Sequence, residues 1–114
     1  MIKTLHFAVE VETKGLTRVD LTGAVQSVVY GMVSCERNIW SIADPRGRIW
    51  RVVADDAHPA AVHRGKIVSP RLDYSDLAEL QRVVQTVLHA GGDVNLSRGI
   101  RVCLDDQSGQ DAQR

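Results

Sequence analysis

Thr4-Leu5-His6-Phe7-Ala8-Val9-Glu10-Val11-Glu12 alternates apolar and polar side chains without a break. Successive residues of an extended chain point to opposite faces, so Leu5, Phe7, Val9 and Val11 share one face, and His6, Ala8, Glu10 and Glu12 the other. The segment predicts a strand with one face on a core and one face carrying two carboxylates. Any fold must cover the first face, and the rest of the chain supplies the cover.

After Lys14-Gly15, Thr17 can cap a helix with Asp20 three residues on, and Leu21, Val25, Val28, Val29 and Met32 recur at helical spacing. Between Asn38 and Ala54, Ile39-Trp40-Ser41-Ile42 and Ile49-Trp50-Arg51-Val52-Val53 flank Asp44-Pro45-Arg46-Gly47, where proline presets a turn and glycine can take positive φ. A β-hairpin follows. Asp55 to Arg64 has no useful period and reads as a loop, and Lys66-Ile67-Val68 reads as a short strand stopped by Pro70. Asp76 with Glu79 reads as the capping pair of a second helix. Its stripe is Leu77, Leu80, Val83, Val84, Val87 and Leu88, and Gly91-Gly92 ends it. A last strand, Ile100 to Leu104, should turn Ile100, Val102 and Leu104 inward and Arg101, Cys103 and Asp105 outward.

The order β, α, β, β, β, α, β predicts an α+β fold, a mainly antiparallel sheet of about five strands with two helices on one face. The core is then Leu5, Phe7, Val9, Val11 and the helical stripes, and Trp40 and Trp50 form a cross-strand pair within it. The opposite sheet face carries His6, Glu10, Glu12, Lys66, Arg101 and Cys103. Residues 1–105 read as a single domain, and 106–114, rich in Gln, Asp, Ser and Gly, as a disordered tail.

Composition narrows the classes of function. The 114 residues suit one hydrophobic core. Lys plus Arg equals Asp plus Glu at 14 each, so no long-range field draws the protein onto nucleic acid or an anionic membrane. Neither a secretion signal nor an apolar run of membrane-spanning length is visible, which makes the cytoplasm the default compartment. Cys35 and Cys103 lack Cys-x-x-Cys spacing and read as buried thiols. His58 and His63 read as exposed loop residues. Arg46, Arg48 and Arg51 are too few to make a nucleic-acid surface.

Taken in order, these strings resemble the N-terminal half of the amidoligase family, carboxylate–amine ligases with the glutamine-synthetase type of sheet. Phe7-Ala8-Val9-Glu10-Val11-Glu12 is similar to the family's opening Phe-Gly-Val-Glu-Ile-Glu strand. Asp44-Pro45-Arg46-Gly47-Arg48-Ile49-Trp50-Arg51-Val52 is similar to its Asp-x-x-Gly-Arg-x-Trp-Lys-Val hairpin, and Asp55-Asp56-Ala57 partly matches the Asp-Ser-Ser loop after it. Lys66-Ile67-Val68-Ser69-Pro70-Arg71-Leu72 and Gly91-Gly92-Asp93-Val94-Asn95 through Gly99-Ile100-Arg101-Val102-Cys103 follow the family's later motifs. The likeness covers residues 5 to about 105. Family members continue beyond this point, and the half that completes their active-site funnel has no counterpart in these strings.

The resemblance implies ATP-driven activation of a carboxylate, with divalent metals held by carboxylates and histidine. Glu10 and Glu12 keep the family's residues, and so does Asp55 or Asp56. Lys66 stands where the family has glutamate, and Arg101 and Cys103 stand where it has histidines. Like charges at about 4 Å repel by several kcal/mol at an intermediate dielectric, so a cation should not share the face with Lys66 and Arg101. The expectation is that Lys66 and Arg101 pair with Glu10 and Glu12, standing in for metals. The patch Glu10, Glu12, Lys66, Arg101 and Cys103 then serves binding and not catalysis, with no cofactor and no metal. The corresponding function is a non-catalytic module that meets a protein partner, or a second copy of itself, through the open sheet face. The expected setting for such a module is a phage or mobile element that encodes it as an inhibitor of a host complex, for instance a CRISPR effector. The competing reading is a residual ATP- and magnesium-dependent ligase subunit completed by another chain.

Overall fold

The computed structural model describes residues 5–94 and 100–106. Strand β1, Leu5–Lys14, forms where the alternation demands it, with Val9, Val11 and Thr13 buried and Glu12 and Lys14 exposed. Helix α1, Arg18–Val29, starts at Thr17, whose Oγ1 accepts the Asp20 N–H at 3.2 Å. It buries Leu21, Ala24, Val25 and Val29 against the sheet.

The helix stops sooner than the apolar spacing implies. Tyr30 adopts a left-handed conformation (φ 58°) and its N–H closes on the Gln26 carbonyl, so Met32 is not the last rung of a helical stripe. It opens strand β2, Met32–Glu36, and is 81% exposed. A side chain at Gly31 would lie 2.5 Å from the Ala43 carbonyl oxygen, so only glycine allows the chain to pass this close to the next strand.

Strands β3, Ile39–Ala43, and β4, Ile49–Val53, form the expected hairpin, with Gly47 at φ 81° in its turn. Strand β5, Arg64–Val68, begins two residues before Lys66 and ends before Pro70. Ser69 then replaces the lost ladder: its N–H donates to the Val9 carbonyl and its Oγ accepts the Val9 N–H at 2.8 Å. A 3-10 turn, Tyr74–Asp76, precedes helix α2, Leu77–His89. Val83 and Val87 are fully buried, whereas Leu77 and Leu88, at the ends of the stripe, are exposed. Strand β6, Asp93–Val94, and strand β7, Ile100–Asp106, are the last described elements, β7 running past Leu104, where the last strand is expected to end. The reading of 107–114 as a disordered tail lies outside the described residues, as does the side chain of Leu5.

All strand pairs are antiparallel, in the order β2-β3-β4-β5-β1, with β6 and β7 both on the far side of β1. Among the described residues the sheet has seven strands, where about five are expected. The helices cover its centre, where Trp50, Ile42, Val52 and Ile67 join the core. Trp40 lies opposite Val52 and Trp50 opposite Ile42, so the tryptophans are diagonal neighbours on the core face. Val102 lies opposite the buried Val9, on the inward face as expected, but is 54% exposed. No helix among the described residues is long and apolar enough to cross a membrane.

Candidate functional site

Because one face of the sheet is taken by helices, residues one step out of phase with the core line the other. Register carries a single row across the whole sheet: Ser34 on β2 faces Ser41 on β3, which faces Arg51 on β4, then Val68 on β5, Glu10 on β1 and Arg101 on β7. One step along, Lys66 lies opposite Glu12, and Cys103 lies opposite Ala8. The topology therefore brings Glu10, Glu12, Lys66, Arg101 and Cys103 to one face, as their alternation implies.

Their pairing follows the expectation in part: Lys66 meets Glu10, and its shorter contact is to Asp56, which is not expected. Lys66 does not bond to Glu12, its partner in register; Glu12 is exposed. The Lys66 ammonium sits 2.8 Å from Asp56 Oδ2 and 3.3 Å from Glu10 Oε1, on the diagonal. Lys66 is only 8% exposed, covered by the loop that carries Asp56. The hydrogen bond that it donates to the Asp56 carboxylate holds its pKa above the ordinary lysine value. Burial pulls the other way, and the Glu10 carboxylate adds to the rise. The pairing of Arg101 lies outside what is described, since only its backbone register is fixed.

Asp56 reaches Lys66 because the preceding residue turns the chain. Asp55 is buried, and its Oδ1 accepts the N–H groups of Ala57 (2.8 Å) and His58 (3.3 Å) in an aspartate-capped turn. Arg64 and His58 approach the same carboxylate at 3.8 and 3.9 Å. His58 and His63 are exposed, as expected. Cys35 and Cys103 are free and exposed, which corrects their reading as buried thiols.

A second charged cluster lies beside the hairpin turn, and the sequence reading missed it. Arg48 Nε donates to Asp44 Oδ2 and its Nη1 to Asp76 Oδ2, both at 3.0 Å, while Nη2 reaches Glu79 Oε1 at 3.4 Å. Arg46 Nη2 donates to the other oxygen of Asp76 at 3.0 Å. Asp76 is thus not the side-chain cap of α2. That carboxylate accepts the Asp73 N–H across the 3-10 turn and anchors the β3–β4 turn to the helix entry. Burial alone would raise the pKa values of Asp44 and Asp76, but both are lowered. For Asp44 the Arg48 N–H and guanidinium dominate; for Asp76, the Asp73 N–H and then Arg48. The i, i+4 spacing of Asp44 and Arg48 was the available signal, although nothing in it points to Asp76.

An antiparallel sheet with helices on one face and a row of charges on the other defines an α+β domain with an open, ion-paired sheet face. The family described as "Putative amidoligase enzyme" matches residues 3–114, and the chain belongs to that amidoligase family. No curated protein and no solved structure matches it significantly.

The metal chemistry implied by the family can be tested on these side chains. Among the described residues no group of three or more His, Cys, Asp or Glu is arranged to hold a cation. A lysine ammonium lies between the carboxylate of Glu10 on the face and that of Asp56 on the loop beside it. A divalent ion there would meet a fixed positive charge inside its coordination distance, so this set of donors does not fit one.

Proposed function

We propose that this protein is a non-catalytic member of the amidoligase family that works by binding a protein, another chain or a second copy, through the open face of its sheet. The observation that carries this reading is the Lys66 ammonium between Glu10 and Asp56, a buried side-chain cation where ligase chemistry would call for a metal. A lysine tethered in this way neutralises the face but offers no open coordination site to a nucleotide phosphate. The remainder of the face mixes apolar and charged groups, Ile39, Val53 and Val68 beside Ser41, Arg51 and Glu12, a composition suited to protein recognition. Inhibition of a host complex by a phage- or mobile-element-encoded protein is the setting this reading suggests.

A second reading keeps the family's activity: a ligase subunit that binds ATP and magnesium when another chain completes the site. Family membership and the presence of Glu10 and Glu12 on one face favour it. Calorimetric titration with ATP and magnesium separates the two. The binding-module reading expects no heat of binding at millimolar nucleotide. Binding at millimolar or tighter affinity that disappears in Glu10→Ala would establish the second reading instead.

A further inference from the structure

Exposed large apolar residues concentrate at one end of the sheet: Tyr30 (79%), Met32 (81%), Val33 (40%) and Ile39 (42%) all lie on or beside β2. Among the described residues strand β2 pairs only with β3, which leaves its outer edge unpaired by them, and all five of its residues are exposed. It contains no proline, lysine or bulge, the devices that keep a sheet edge from pairing with another chain.

The phase of the hairpin shows which backbone groups this edge presents. Arg37 (φ 54°) and Asn38 (φ 65°) form a two-residue loop with both φ values positive, the type I′ pattern. In such a hairpin the flanking residues, Glu36 and Ile39, form a hydrogen-bonded pair, and bonded pairs then alternate with unbonded ones. Ser34–Ser41 is therefore bonded, whereas Val33 and Cys35 direct their N–H and C=O groups away from β3, toward the bare edge.

We infer that β2 pairs antiparallel with β2 of a second copy about a two-fold axis through Ser34. This register alone lets Val33 of each copy exchange backbone hydrogen bonds with Cys35 of the other, whereas a shift of one residue along either strand leaves a set unused. It also sets the apolar side chains of Val33 and Cys35 against one another on the helix side of the joined sheet. On the open side Met32 faces Glu36 of the second copy and no like charges meet. The two sheets become one, and their open faces form a continuous surface. The pairing rests on the proposed binding role of that face and names the second copy as the chain that meets its edge.

Prolines distinguish this register from any other mode of association. Val33→Pro and Cys35→Pro each delete an N–H that points out of the sheet, so the monomer should keep its fold while the dimer is lost. In a Cys35→Ser, Cys103→Ser background, Ser34→Cys should form a disulfide-linked dimer on mild oxidation. Unbonded antiparallel pairs hold their Cα atoms about 4.5 Å apart, within bridging range. Sedimentation equilibrium at about 100 μM should show a dimer for the wild type and at least a tenfold weaker association for both proline variants, with unchanged circular dichroism. A monomeric wild type, a dimer indifferent to both prolines, or failure of the Ser34→Cys bridge in a dimer that persists would overturn the pairing. None of these results bears on nucleotide binding, which the Glu10→Ala titration reads independently of β2.

Discussion

Arg48 shows how much of the molecule can depend on one side chain. Its guanidinium joins Asp44, Asp76 and Glu79, and it is largely buried. Arg48→Ala would strip buried Asp44 of its guanidinium and leave buried Asp76 with Arg46 alone, which should cost about 2–4 kcal/mol of stability, read by urea denaturation. The pKa shifts fix the sign of the pH dependence. Asp44 and Asp76 are lowered in the fold, so their contribution is present above the ordinary aspartate pKa and is lost as pH falls through the folded value. Lys66 is raised, so its contribution is present below the ordinary lysine pKa and is lost as pH rises through the folded value. These groups together predict a stability plateau from about pH 4 to about pH 10. Melting temperatures should hold level across that range and fall beyond it on both sides, and in Lys66→Met the alkaline fall should be smaller. Of this pairing only the Lys66–Glu10 contact was legible in the sequence. A charged residue carries no mark of its partner, and Lys66 passes over Glu12, opposite it in register, for Glu10 and for Asp56 on a folded-back loop.

Among the elements, those with a clean period were legible: the alternation of β1, the turn between β3 and β4, and the apolar stripe of α2. Strand β2 was not. Met32 lies three residues after Val29, so its side chain continues the helical pattern even though the backbone has turned away. The break depends on a left-handed tyrosine and on the tight passage of Gly31 against Ala43, a tertiary contact no local pattern contains. Gly31→Ala should accordingly destabilise the protein by about 1–3 kcal/mol, measured by chemical denaturation, because the new methyl would meet the Ala43 carbonyl oxygen and Ile42 Cγ2, both at 2.5 Å. Gly23→Ala, in the middle of α1 with open space around its position, should instead stabilise by about 0.5–1 kcal/mol.

For the molecule as a whole, the sheet, its layer of helices and the family were legible, because five motifs in order constrain topology more strongly than any one of them. The charges of the open face were legible as a set and not as a circuit. Lys66 and Glu10 pair in the folded protein, and the proposed function requires that this pair, and not a metal, balances the face. A double-mutant cycle with Lys66→Met and Glu10→Gln, read by urea denaturation at neutral pH, measures this directly. The account predicts a favourable coupling of about 1 kcal/mol that added magnesium leaves unchanged. A coupling near zero, with a wild type that magnesium stabilises and Glu10→Gln does not, would contradict it.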